Sequence, residues 1–257
     1  FYGVGAYVAA LMGINLHSPF LVNVVCAVVL SGLLGVLMGI PSLRIRDDYF
    51  IIATFAFQVI TFSVLNNWVS FTSGPMGLPG IPQPVILGWK ISSHGGFLFL
   101  VACFCAVTLW VSRRIVRSPF GRVLKAIRED EVFAQSMGKN VAAYKILVFV
   151  IGAGMAAVAG SLYAHYISFI DPTSFTVTES IFIISMVIIG GAGSLWGSVV
   201  GAVGLVTLPV LLRFVGLPNS VAANIRQILY GGLLVVFMMW RPQGFLGEYS
   251  FQKEAPK

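Results

Sequence analysis

The chain has 257 residues, 58% hydrophobic and only 10% charged, with a formal net charge of +7 and a mean hydropathy of +0.92. About 25% charged is ordinary for a soluble globular domain, so a water-soluble fold would lack the polar shell it needs, and lipid is the natural solvent for these side chains. The basic residues fall between apolar runs instead of forming one basic face, which excludes a nucleic-acid binder and matches the loop bias of membrane proteins.

A helix crosses hydrocarbon in about 20 apolar residues and satisfies its own backbone on the way. Residues 1–14 read as the end of one span, closed by Asn15, His17, Ser18 and Pro19. The chain opens at Phe1 inside an apolar run without a methionine, so further N-terminal helices are expected upstream. Residues 20–43 form a full span, stopped by Pro41 and the charged group Arg44, Arg46, Asp47 and Asp48; residues 49–65 form the next, ending at Asn66 and Asn67.

Residues 66–95 carry Gly74, Pro75, Gly77, Pro79, Gly80, Pro82 and Pro84, too many breakers for a helix, and read as a loop. Residues 96–111 span again. Residues 112–143 are basic and amphipathic, a loop with a helix of its own. Residues 144–163 span, a turn follows at Asp171 and Pro172, and Thr176 with Glu179 has the spacing of a capping box for a short span over 178–189. Gly190, Gly191, Gly193 and Ser194 interrupt it; residues 197–212 and 225–240 complete the spans before a polar tail. The fold expected is all-α, a polytopic transmembrane bundle forming one domain over 1–257.

If the loop after residue 43, the 112–145 region and the tail share one side, that side holds thirteen of the sixteen lysines and arginines. The positive-inside rule then puts residues 112–143 and the C-terminus in the cytoplasm and the Gly/Pro loop on the periplasmic side.

Within the basic loop, Ser118 before Pro119 fits a helix start, and Gly138 fits the residue after a helix end. Phe120, Val123, Leu124 and Ile127, then Phe133 and Met137, recur as an apolar stripe on one amphipathic helix. Something must cover that stripe, either lipid headgroups or a groove in a partner. Glu129, Asp130 and Glu131 would be repelled by an anionic leaflet, which favours the partner.

The Gly74–Pro82 stretch reads either as a shaped lid or docking surface or as a connecting loop. The 190–194 glycine cluster reads as a helix break lining a pathway, or as tight helix packing and a turn. The centres of the spans hold no Asp, Glu, Lys or Arg, which argues against an ion-coupled carrier. His165, beside Tyr163 and Tyr166, fits an interfacial belt of amphipathic rings. Cys26, Cys103 and Cys105 lie in apolar runs with no metal or disulfide pattern. No nucleophile stands with a base and no phosphate-binding loop is present, so neither catalytic residues nor a cofactor are expected.

Four ordered motifs carry a resemblance to a known family. They are residues 1–7 (Phe-Tyr-Gly-Val-Gly-Ala-Tyr); 74–82 (Gly-Pro-Met-Gly-Leu-Pro-Gly-Ile-Pro); Ser118-Pro119-Phe120-Gly121-Arg122 with Ala126 to Glu131 and Met137-Gly138; and Gly190-Gly191-Ala192-Gly193-Ser194 with Gly197. Together they resemble the LivM-type permeases of branched-chain amino-acid ABC transporters. The resemblance implies a bacterial inner-membrane importer in which this chain pairs with a second related permease, two cytoplasmic ATPase subunits and a periplasmic substrate-binding protein. It implies an ATPase-docking role for Phe120, Leu124, Ile127, Arg128, Glu129, Asp130, Glu131, Ala134 and Gly138. On the lid and helix-break readings above, Gly74, Pro75, Gly77, Gly190, Gly191, Gly193 and Ser194 are the candidate pathway or gate positions. ABC importer permeases often carry Glu-Ala-Ala, three residues, then Gly in the docking helix; here only Ala134 and Gly138 keep that spacing, and Glu131 is one residue out of place. Related alternatives are a urea or short-amide permease of the same family, an ion-coupled secondary carrier and a membrane scaffold.

Overall fold

The structure, a computed structural model, describes residues 1–42, 47–86, 89–213, 231–232, 234–236, 239 and 244–246. It divides into two compact units, Phe1–Val177 and Thr178–Lys257, each considered by itself.

The first unit is built on three helices. α1 (Tyr2–Asn15), α2 (Phe20–Ser42) and a 27-residue α8 (Val141–Ile167) pack with backbones almost touching. A Cβ on Gly5 would run into the backbone of Ala157, and one on Gly160 into the Tyr2 carbonyl, while Gly35 and Gly39 seat against Val150, Ala153 and Ile146. Small residues let apolar helices approach where no hydrophobic effect drives them together, so dispersion over a close interface is what holds such a core. Phe20 lies against the far end of α8 at His165 while Gly39 meets Ile146 near its start, so α2 runs antiparallel to α8.

α3 (Asp47–Asn67) and α5 (His94–Arg117) are added around this core. α5 packs through Phe97 and Leu100 onto Phe20, Val24 and Leu162. Their outward faces, with Ile51, Phe55, Leu98 and Phe99, are exposed apolar surface suited to lipid. Among the described residues five helical segments are long and apolar enough to cross a membrane: Phe20–Ile40, Tyr49–Asn67, His94–Arg117, Val141–Ile167 and Pro172–Gly190.

Several boundaries differ from the sequence reading. α2 continues through Pro41 to Ser42. Asp47, read as loop, opens α3; Arg44 and Arg46 lie outside the described residues. α5 continues past residue 111 to Arg117, because arginine is a good helix former and nothing breaks the helix before Ser118 and Pro119.

The Gly/Pro loop is not featureless. It holds α4 (Val69–Thr72), a 3-10 turn (Gly74–Met76) and two short strand pairs. β1 (Leu78–Pro79) pairs antiparallel with β4 (Phe169–Ile170), just after α8, and β2 (Val85–Ile86) pairs with β3 (Trp89–Lys90). The loop is thereby clipped to the end of the longest helix.

In the second unit, α9 (Val177–Gly190) follows an extended Thr176, turns at Gly191–Ser194 and gives way to α10 (Leu195–Arg213). Glycines 190, 197 and 201 face one another so closely that a Cβ on any of them would meet backbone. The amides of Phe245 and Leu246 donate to the carbonyls of Ile189 and Gly190 at 3.0 Å each, satisfying groups that end a helix. Most of the expected 225–240 span and of the tail lies outside the described residues.

Candidate functional site

At one end of the first unit, α5 and α8 are joined by two short helices in place of the single expected one. α6 (Pro119–Glu129) starts as the sequence predicts: the Ser118 side chain accepts from the Gly121 amide at 3.3 Å and Pro119 takes the first helical position. It stops at Asp130, whose backbone is extended (φ −151°, ψ 107°). The Asp130 carboxylate then accepts from the Phe133 amide at 2.8 Å and caps α7 (Glu131–Ser136). Asp130 therefore ends one helix and begins the next, which breaks the expected continuous stripe. Gly138, at φ +74°, follows α7 in the left-handed conformation that closes a helix end.

The break redistributes the candidate residues. Ile127 and Ala134 are buried against Val141 at the foot of α8, with Val123 and Tyr144 around them. Phe120 stacks on Tyr144 with ring centroids 5.2 Å apart and planes 19° from parallel. Leu124 is half-buried, and Arg128 and Glu129 are exposed. Lys145 Nζ lies 2.6 Å from Glu131 Oε2, tying α7 to α8 by a pair that is partly exposed and so contributes about 0–1 kcal/mol. Side chains expected to meet a partner thus hold the two helices onto α8. The apolar groups left outside are Val132, Phe133 and Met137, which are 76%, 60% and 66% exposed. Val132 has no place on a stripe drawn through one long helix; recognising Asp130 as a cap would have singled it out.

The opposite end carries the clipped loop. Gly77 (φ +71°, ψ 178°) sits where a Cβ would lie 2.5 Å from the Ile170 carbonyl oxygen, and Gly74 (φ +55°) is pressed on the Asn66 carbonyl. Pro75 and Met76 remain exposed at the tip. Hydrogen bonds from Ser174 and Thr173 hold the Asp171 carboxyl below its ordinary value although burial pushes the other way. A cavity of about 420 Å³ opens beside the loop, lined by His17, Ser18, Asn23, Gln83 and His165 together with Pro19, Phe20 and Pro82. His165 is 3% exposed, set edge-on against Phe20 with Nδ1 2.8 Å from the Ser161 carbonyl oxygen. It turns inward, not out to an interfacial belt, because α2 and the proline loop cover that face of α8.

In the second unit, Gly191 (φ 122°) and Gly193 (φ 88°) make the turn between α9 and α10, and the Ser194 hydroxyl accepts from the Gly197 amide at 3.2 Å. Gly190 belongs to the close glycine contact described above.

Long apolar helices with glycine-packed interfaces and a polar helical turn folded onto one end define a multi-pass membrane protein. The chain belongs to the branched-chain amino acid transport system permease component family, whose model matches residues 1–238. It is 35% identical, over an alignment 269 positions long, to the high-affinity branched-chain amino acid transport system permease protein LivM of Escherichia coli K12, covering 96% of this chain and 62% of that protein. It is 26% identical to LivH of the corresponding system in Salmonella typhimurium LT2, covering 98% and 85%. It is 28% identical to the autoinducer 2 import system permease protein LsrC of Salmonella paratyphi B, covering 88% and 66%. The chain thus spans about 62% of the length of the LivM it matches. No solved structure matches it.

Proposed function

We propose that this chain is a membrane-spanning subunit of an ATP-driven importer of branched-chain amino acids in a bacterial inner membrane, working with a second permease, two ATPase subunits and a periplasmic binding protein. The observation that carries the reading is the pair α6–α7: a polar, capped element bolted to α8 that leaves Val132, Phe133 and Met137 outside. Exposed apolar groups on a short helix beyond the end of a bundle suit a groove in a partner. Asp130 and Glu129 beside them disfavour an anionic bilayer as the cover.

The α6–α7 end lies in the cytoplasm in this reading, in accord with the lysine and arginine bias. Ile127 and Ala134 act from inside, by holding the docking face against α8. Gly74, Pro75 and Gly77 shape the periplasmic surface, and Gly190 to Ser194 let two helices meet closely beside the pathway. Substrate crosses between apolar and small polar side chains without a strong binding site, and selection rests with the binding protein.

The test pairs two measurements on the reconstituted importer. Replacing Val132, Phe133 and Met137 together by serine is expected to release the ATPase subunits and abolish leucine uptake, with the permease still in the membrane. Uptake of leucine, urea and autoinducer 2, each with its own binding protein, separates the amino-acid reading from the urea reading and from the substrate for which LsrC is named. Retained ATPase binding in the triple variant refutes the docking face.

A further inference from the structure

We infer that the basic shoulder made by Arg113, Arg114, Arg117, Arg122 and Lys125 is a binding site for the headgroups of anionic phospholipids; the leaflet it faces rests on the orientation proposed above. The cluster is built by two elements. α5 is apolar along its length and closes on exposed arginines at 113, 114 and 117. One turn earlier Trp110 is exposed, and the Arg114 guanidinium carbon lies 5.4 Å from its ring centroid. An indole under a guanidinium at the end of a membrane span is an amphipathic anchor at headgroup depth.

The second element comes from the turn at Ser118. A Cβ on Gly121 would run into the carbonyl oxygens of Ile115 and Val116, so α6 begins in backbone contact with the last turns of α5. Arg122, the next residue, and Lys125, one turn on, follow that contact directly on α6, and both are exposed. Among the described residues none of these five cations is neutralised by a salt bridge. Glu129 stands four residues beyond Lys125 on the same helix face and leaves the cluster strongly positive.

The break at Asp130 separates this shoulder from the docking face. The 11 residues of α6 carry the chain about 16 Å from the basic end to the acidic corner at Glu129 and Asp130. Cations that continue a lipid-facing helix are matched by lipid phosphate; a soluble partner would have to reach down to the same depth. Held there, the start of α6 fixes the height at which α7 is presented.

The complete transporter, in nanodiscs of phosphatidylcholine alone or mixed with phosphatidylglycerol, tests this. Phosphatidylglycerol retained by the membrane subunit is read by native mass spectrometry, and ATPase rate is read in parallel. Each cation near an anionic surface favours partitioning by about fivefold. The Arg113→Gln/Arg114→Gln/Arg117→Gln variant is therefore expected to lose at least about tenfold in retained phosphatidylglycerol, and to lose any stimulation of ATPase rate by that lipid. The matching lysine variant, which keeps the charge, retains both and shows that the fold is intact. Equal lipid retention by the glutamine variant overturns the proposal. So does displacement of the lipid by inorganic phosphate, which would make this a site for free phosphate. Loss of the ATPase subunits from the glutamine variant in both lipid mixtures would assign the cluster to a protein partner and overturn it too. Lipid retention is read on the membrane subunit itself, so a wild-type chain that fails to recruit any ATPase refutes the proposed function without touching this result.

Discussion

Asp130→Ala isolates the joint between α6 and α7. The carboxylate accepts from the Phe133 amide at 2.8 Å on an exposed part of the chain, and removing an N-cap costs about 1 kcal/mol, with a range of about 0.5–2. α7 has six residues, far below the length at which an isolated helix is stable in water. It is held by this cap, by the burial of Ala134 and by the partly exposed Lys145–Glu131 pair, whose contribution is about 0–1 kcal/mol. A loss of about 1 kcal/mol shifts the ordered-to-frayed ratio of α7 about fivefold. A partner that binds only the ordered form then weakens by up to the same factor. The assay is a titration of purified ATPase subunit onto the permease in nanodiscs, comparing wild type, Asp130→Ala and Asp130→Asn. Asparagine caps as well as aspartate, so Asp130→Asn is expected near wild type and Asp130→Ala weaker, by at most about fivefold. An alanine variant that binds like wild type refutes the argument. An asparagine variant as weak as alanine would show that charge, not capping, is what the partner reads.

Gly77→Ala is expected to destabilise the first unit by about 1–3 kcal/mol, because φ +71° with ψ 178° is open essentially to glycine alone; a fall in thermal unfolding midpoint in detergent checks it. Gly160→Ala, where the new methyl meets the Tyr2 carbonyl, is expected to cost about 1–3 kcal/mol by overpacking. Gly152→Ala on the same helix, with open space around it, serves as its control in the same melt. The Asp171 carboxyl titrates below its ordinary value of 3.8. Its stabilising contribution is therefore full above that pH and is lost as pH falls through the depressed value. Acid melts of wild type are expected to weaken over that window relative to Asp171→Asn, and parallel curves for the two proteins would refute the assignment.

The membrane spans were legible because length and apolarity are local properties: residues 20–43 and 144–163 need no partner to be read as helices. Where the helices stop was less so. Arg113 to Arg117 read as loop because charge was taken to end a span, although arginine stems continue a helix into the headgroup layer. The Asp130 break was hidden because Glu129-Asp130-Glu131 reads equally as the polar face of one helix. Only the extended backbone at Asp130 and the burial of Ala134, with Phe133 left outside, decide between the two. The strand pairing of residues 78–79 with 169–170 joins positions about ninety residues apart, and two-residue strands carry no periodicity to find them by. His165 was misplaced for a related reason, since its cover comes from α2 and the proline loop, both distant in sequence.

The 27 residues of α8 extend about 40 Å, more than the thickness of a hydrocarbon core, and contain no proline. At its foot Val141, Tyr144 and Lys145 grip the two short helices, and just beyond its head Phe169 and Ile170 grip the loop at the other surface. The same rod is thus fastened at both ends, and the adjacent Gly160 and Ser161 near its head form the kind of pair at which helices kink. A push of a few ångströms given to the foot would travel as rigid-body motion as far as that pair, where the close contact of Gly160 with the Tyr2 carbonyl passes it to α1 as well. Movement of the α6–α7 end would then reach the clipped loop through α8 and α1 together, without any charge or ligand passing between them.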